Sequence, residues 1–200
     1  TYLDDLIVRR PVLDAAGRPV QQQCGTTVAG KLVWADETRR DNASDGMIHG
    51  VELDLALDLG RRWTVMAWAA WTHGTVQLSD QSDDTEPLSR VPPLNGLAAV
   101  RFNLHEVEGF TQLGVRWASS QDRLSSRDEQ DLRICPDGPG GCDGTASYGV
   151  LSLRGAVTVA PGALLTLTLE NLTNTTYRVH GSGVDGPGLS VLASLEVRIQ

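Results

Sequence analysis

Four histidines, His49, His73, His105 and His180, are the first residues to test for chemistry, because imidazole binds metals and moves protons near neutral pH. No H-x-x-x-H or H-E-x-x-H spacing joins them, so each is expected to be a scattered polar residue of a wall or loop. The serines lack a G-x-S-x-G elbow, which leaves hydrolysis without a nucleophile. Asp83, Asp84 and Glu86 could offer a hard cation such as calcium its oxygen ligands, although a solvated acidic loop is the plainer account. The three cysteines are Cys24, Cys135 and Cys142, and the last two bracket the turn-rich run from Pro136 to Gly141. A disulfide closing that loop fits an exported protein in an oxidising compartment, and Cys24 is left over. Neither CxxC nor a Cys/His quartet supports zinc. No catalytic set, metal or cofactor is expected, and the chain is not read as an enzyme.

The elements that must carry these residues are strands. The 200 residues include 21 glycines and are 40% hydrophobic but only 5% aromatic, a balance that favours strands and turns. The net charge of -8 excludes a nucleic-acid partner, which would need clustered Lys and Arg. No run approaches the ~18 apolar residues of a membrane-spanning helix. No signal-like segment opens the chain, so an export signal would lie upstream of Thr1.

Period-two alternation recurs in block after block. Val51, Leu53, Leu55, Leu57 and Leu59 alternate with Glu52, Asp54, Ala56 and Asp58. Leu151 to Val159 repeats the pattern, Leu165, Leu167 and Leu169 oppose Thr166, Thr168 and Glu170, and Leu189 to Ile199 opposes Ser190, Ser194, Glu196, Arg198 and Gln200. Less regular strands are expected at Trp63 to Val76, Leu97 to Leu104 and Phe110 to Trp117, and with Tyr2 to Arg9 the count is about eight. Connections alternate in length. Short turns at Gly60-Arg61-Arg62, His105 to Glu108 and Ala160-Pro161-Gly162 alternate with long stretches at Arg10 to Gly46, Asp80 to Arg90 and Ser119 to Thr145, and with a shorter Gly-rich loop at Gly181 to Gly188. Trim turns at one end and elaborate loops at the other are the pattern of outer-membrane barrels.

Alternation alone also fits a soluble β-barrel or sandwich that binds a small ligand or glycan, since such a fold merely points the apolar face inward. Strand length favours the membrane: roughly 9 to 13 residues match the ~9–11 that cross a bilayer, against ~5–6 in soluble sheets. Trp63, Phe110, Trp117 and Tyr177 sit near strand ends, where an interfacial girdle would want them. With the apolar rows on lipid, Glu52, Asp54, Asp58, Arg101, Arg116, Arg154, Glu170, Glu196 and Arg198 would face the lumen, pairing across neighbouring strands and docking a plug, or simply solvating a wet interior.

The run Leu169-Glu170-Asn171-Leu172-Thr173-Asn174-Thr175-Thr176-Tyr177-Arg178-Val179-His180-Gly181-Ser182-Gly183 resembles the penultimate-strand signature of TonB-dependent receptors. Gly186-Pro187-Gly188 with the final alternating strand, Ile48-His49-Gly50-Val51-Glu52-Leu53 and Pro92-Pro93-Leu94-Asn95-Gly96 resemble further segments of that family. Leu189 departs from the arginine the family carries after Pro-Gly, and Gln200 stands where an aromatic terminus is expected. The resemblance implies an all-β chain, residues 1–200 being the C-terminal portion of a larger transmembrane β-barrel of the bacterial outer membrane. It also implies uptake of a scarce nutrient such as a ferric siderophore or cobalamin, recognised by the loops. Its expected partners are outer-membrane lipid, an N-terminal plug domain of the full-length chain, and the TonB system reached through that missing N-terminal part. The plug and TonB box have no counterpart in this sequence.

Overall fold

The computed structural model describes residues 2–3, 7–26, 32–42, 45–77, 85–136 and 141–198. Its strands are β1 (Tyr2–Leu3), β2 (Ile7–Pro11), β3 (Gln21–Thr26), β4 (Leu32–Asp36), β5 (Thr38–Asn42), β6 (Gly46–Leu59), β7 (Trp63–Gln77), β8 (Thr85–Pro87), β9 (Asn95–Leu104), β10 (Gly109–Ala118), β11 (Tyr148–Ala160), β12 (Ala163–Glu170) and β13 (Ser190–Val197). The helical pieces among the described residues are a 3-10 turn, His105–Val107, and α1 (Ser126–Glu129). Eight strands run in the order β1-β6-β7-β9-β10-β11-β12-β13, with β8 against β7, and the path has two free ends. It is an open, up-and-down wall.

The chain divides into two compact units, residues 1–48 with 75–86, and residues 49–74 with 87–200. Within the first, the opening strand expected at Tyr2 to Arg9 is split between β1, which pairs with the start of β6, and β2. The stretch from Arg10 to Gly46, expected to be a loop, holds two further antiparallel pairs, β2 with β5 and β3 with β4. Segments such as Gln21–Thr26 and Thr38–Asn42 carry few apolar residues, so their strands rest on backbone pairing and leave no alternation to read.

The second unit is the wall. Register places Val65, Val100, Leu113, Leu153, Leu169 and Val191 abreast in one row across six strands. One residue along, Thr64, Arg101, Gln112, Arg154 and Thr168 stand abreast on the opposite face. The aliphatic face is bare: Leu113 is 50% exposed, Leu167 47% and Val191 67%. A sandwich would bury these rows against a second sheet, and among the described residues none covers them. The short turns lie together at one end, where Gly60 (φ 72°) and Gly162 (φ 76°) take the left-handed conformation that tight reversals need.

Ring positions correct the expected girdle. Trp63 and Trp117 lie on the aliphatic face, Trp63 packing on Phe102 with centroids 4.8 Å apart, and Trp71 joins them by parity. Phe110 instead faces the polar side between two guanidiniums, Arg101 at 4.2 Å and Arg154 at 5.8 Å from its ring centre. Tyr177 lies outside any strand and is buried, because it closes a loop described next.

Candidate ligand-facing site at the loop end of the wall

Beyond β12 the chain turns through two asparagines with left-handed backbones, Asn171 (φ 54°) and Asn174 (φ 50°), a conformation their short amides tolerate. The Asn171 amide donates to the Thr175 and Pro187 carbonyls, both at 2.9 Å, and its oxygen accepts from the Thr175 N–H at 2.8 Å. Asn174 accepts from the Leu189 N–H at 3.0 Å. These bonds tie the two ends of the 171–189 loop and set Tyr177 inside it. Gly186 lies so close to the Tyr177 ring that a Cβ there would overlap it. Arg116, from the polar face of β10, donates to the Tyr177 hydroxyl at 2.7 Å and lies over its ring, while Tyr148 packs on the other aromatic at 4.9 Å.

A second polar core orders the loop between β10 and β11. Asp128 is 1% exposed and accepts from the Ser89 hydroxyl (2.7 Å), the Arg90 N–H (3.2 Å) and the Ser125 N–H (3.2 Å), while its own N–H donates to the Ser125 hydroxyl. Burial pushes its carboxyl up, but the bonds from Ser89, Ser125 and Arg90 together outweigh that and hold it below the usual carboxylate range. Asp131 pairs with Arg90 at 2.9 Å and with Arg133 at 2.6 Å. Gln121 pairs with Thr145 and donates its amide to the Val91 carbonyl at 2.7 Å. Cys135, fully buried, is disulfide-bonded to Cys142.

Two cavities open on the polar face at this end, and Arg116 lines both. The first, about 400 Å³, is walled by Trp68, Arg116, Tyr148, Arg178 and His180 among others. The second, about 390 Å³, lies against Leu97, Ser152, Glu170 and Tyr177. His180 holds Thr145 through Nδ1 at 2.9 Å, and its buried Nε2 has no hydrogen-bond partner. Burial pulls the His180 pKa below its ordinary value, with Asp128 working against and Arg90 adding to that effect. Its resting form is therefore neutral. An aromatic lining with convergent polar groups can grip a flat or conjugated organic molecule that carries negative charge.

The residues expected to line a lumen do not form one network. Arg101 donates twice to Gln112 across β9 and β10, and Arg154 lies in the same row. Arg116 and Glu170 border the second cavity. Glu52 and Asp54 are exposed on β6, and Asp58 accepts from Thr64 at 2.8 Å. Glu196 pairs with Arg198 along one strand end at 3.0 Å instead of across neighbouring strands. Asp83, Asp84 and Gln200 lie outside the described residues, and no metal-holding group of three His, Cys, Asp or Glu side chains occurs among those described.

The histidines are less scattered than their spacing implies. His49 and His73 stack with centroids 4.9 Å apart, and Trp71 meets His49 edge-on at 5.6 Å. A hairpin turning about Arg61 sets His49 opposite His73, so the signal was available in the turn position but not in any metal-ligand spacing. Sequence reasoning also missed the Arg116–Tyr177 contact, whose partners lie 61 residues apart.

A family model described as "TonB dependent receptor-like, beta-barrel" matches residues 1–174. Among solved structures, one titled "Copper transporter OprC" superposes with a TM-score of 0.64 at 25% identity, over 80% of this chain and 24% of that one. No curated protein matches the chain significantly. This chain thus spans about a quarter of that transporter's length. An open antiparallel wall with bare aliphatic rows, trim turns at one end and structured loops at the other is what part of such a barrel must look like, and the chain belongs to the TonB-dependent receptor β-barrel family of the outer membrane.

Proposed function

We propose that this chain is the C-terminal wall and extracellular loop set of a TonB-dependent uptake receptor whose cargo is an organic, anionic metal chelate of the ferric-siderophore class. The observation that carries the cargo reading is the 400 Å³ cavity at the loop end, where Trp68 and Tyr148 stand beside Arg116 and beside Arg178, itself paired with Asp185 at 2.7 Å. Aromatic faces and guanidiniums suit the conjugated, negatively charged shell of such a chelate. Cobalamin, with its larger flat macrocycle, is the other organic cargo of this kind, and copper is what the similar transporter's title names. In this reading the aliphatic rows face lipid and the polar face lines the lumen. Glu52, Asp54, Arg101, Arg116, Arg154, Glu170, Glu196 and Arg198 then offer charge and hydrogen bonds to a plug domain elsewhere in the full-length chain, which in turn couples to TonB.

Uptake by cells making the full-length receptor tests this directly. Iron-55 supplied as a panel of ferric siderophores should accumulate only with the receptor present and the membrane energised, and cobalt-57 cyanocobalamin and copper-64 should not. Energised uptake of cobalamin or copper alone would overturn the chelate reading and leave the receptor class standing. Absence of energised uptake of all three would remove the transport reading.

A further inference from the structure

The continuous outward apolar run of β6 and β7 is interrupted at the loop end by a pair of histidines. From Leu59 back to Val51 every second residue of β6 is aliphatic and exposed, a nine-residue span that matches the ~9–11 residues of a membrane-crossing strand. On β7 the same face runs from Trp63 to Trp71, two exposed tryptophans at its two limits, as expected of rings at the two interfaces. The next residues on that face are His49 and His73, which stack on each other at 4.9 Å. Above them hangs Arg123, exposed, from the loop between β10 and β11, with its guanidinium 2.9 Å from the His73 Nδ1.

This geometry makes His73 an acceptor at Nδ1, leaving Nε2–H outward, and among the described residues leaves most of the five Arg123 N–H donors unused. The Arg123 charge beside the ring also makes the pair unsuited to chelate a cation, and no third ligand joins it among the described residues. A cation with two imidazoles and an indole, one step beyond the hydrocarbon band on the lipid-facing side, lies at the depth of lipid headgroups. We propose that His49, Trp71, His73 and Arg123 form a binding site for the phosphate of an outer-leaflet lipid, in which Arg123 supplies charge and the rings supply N–H donors. The site rests on the outward assignment of the aliphatic face made above. It is distinct from the cargo cavity on the opposite face of the wall.

The test uses the full-length receptor, purified in a non-ionic detergent, with insertion competence verified by heat-modifiable migration of the folded barrel. Diphosphoryl lipid A and its enzymatically dephosphorylated form are titrated and bound lipid is read by native mass spectrometry. The phosphorylated lipid should bind at least fivefold more tightly, and Arg123→Gln with His73→Gln should remove most of that difference while leaving the dephosphorylated lipid unchanged. Equal binding of the two lipids to the wild-type receptor would overturn the proposal even if the variant fails to fold. So would an undiminished preference in a folded variant, or full competition by inorganic phosphate at millimolar concentration, which would mark a free-phosphate site. A receptor that migrates as unfolded in every preparation would instead count against the barrel reading, which separates the two failures.

Discussion

The wall and the loops of this molecule are inverted versions of one another. Along β9 to β13 the face that carries Val100, Leu113, Leu153, Leu167 and Val191 is exposed, whereas among the described residues the largest fully buried side chains, Asn171, Asp128, Cys135 and Ser125, all sit in the connections between strands and three of them are polar. A wall that leans on hydrocarbon needs no dry interior of its own, because lipid takes that role. Loops standing in water have to make one, and here they do so with hydrogen bonds and a disulfide. The wall therefore draws its stability from the surrounding hydrocarbon, and the loop cap draws much of its own from internal polar contacts.

Substitutions on the two faces of β12 should break that contrast most sharply. Leu167→Arg puts a charge on the bare face near mid-bilayer and should cost about 2–4 kcal/mol in lipid, measured by reversible urea unfolding into vesicles, while Thr168→Arg on the polar face should cost under ~1 kcal/mol. Equal costs would mean the two faces see the same surroundings. In the cap, Asp128→Ala strands the Ser89 hydroxyl and two backbone N–H groups, and should cost ~2–3 kcal/mol there. Hydrogen exchange should register this as faster exchange across residues 85–136 with the β11–β12 amides unchanged. Replacing Cys135 and Cys142 together by serine should loosen the same loop by ~2 kcal/mol, seen as proteolytic nicking between them. Tyr177→Phe removes the acceptor of Arg116 and should cost ~1 kcal/mol, confined to the 171–189 loop.

Acidification gives the smallest and most graded effect, and it too belongs to the cap. His180 is held neutral by burial, so the unfolded chain takes up a proton first: stability is unaffected above pH ~6.5 and declines as pH falls below it. Asp128 acts lower. Its folded pKa lies under the unfolded value of 3.8, so its contribution persists through mildly acid conditions and is lost as pH falls below that value towards its folded pKa. Exchange protection in the cap should thus fall in two steps, and His180→Asn should erase the upper one.

Much of the wall was legible because period-two alternation maps directly onto faces: Leu165, Leu167 and Leu169 show their side without any tertiary knowledge. The strands between Ile7 and Asn42 were not, since residues such as Gln21 and Arg39 carry no face preference. The cap was hidden for a different reason. Its buried residues are polar, which sequence reading assigns to solvent, and their partners are remote, as with Arg90 and Asp128, 38 residues apart. Phe110 was misplaced because aromatics were assigned by position along the strand, while parity with Gln112 and Arg116 already sets it on the polar side.

Nitroxide scanning of residues 163 to 169 in the full-length receptor, reconstituted in vesicles, bears most directly on which way the wall faces. Spectra at Leu165, Leu167 and Leu169 should be broadened by oxygen, which concentrates in hydrocarbon, and those at Leu164, Thr166 and Thr168 by a water-soluble nickel chelate. The opposite phase, or uniform accessibility along the strand, would contradict the orientation on which the transport reading and the lipid site both depend.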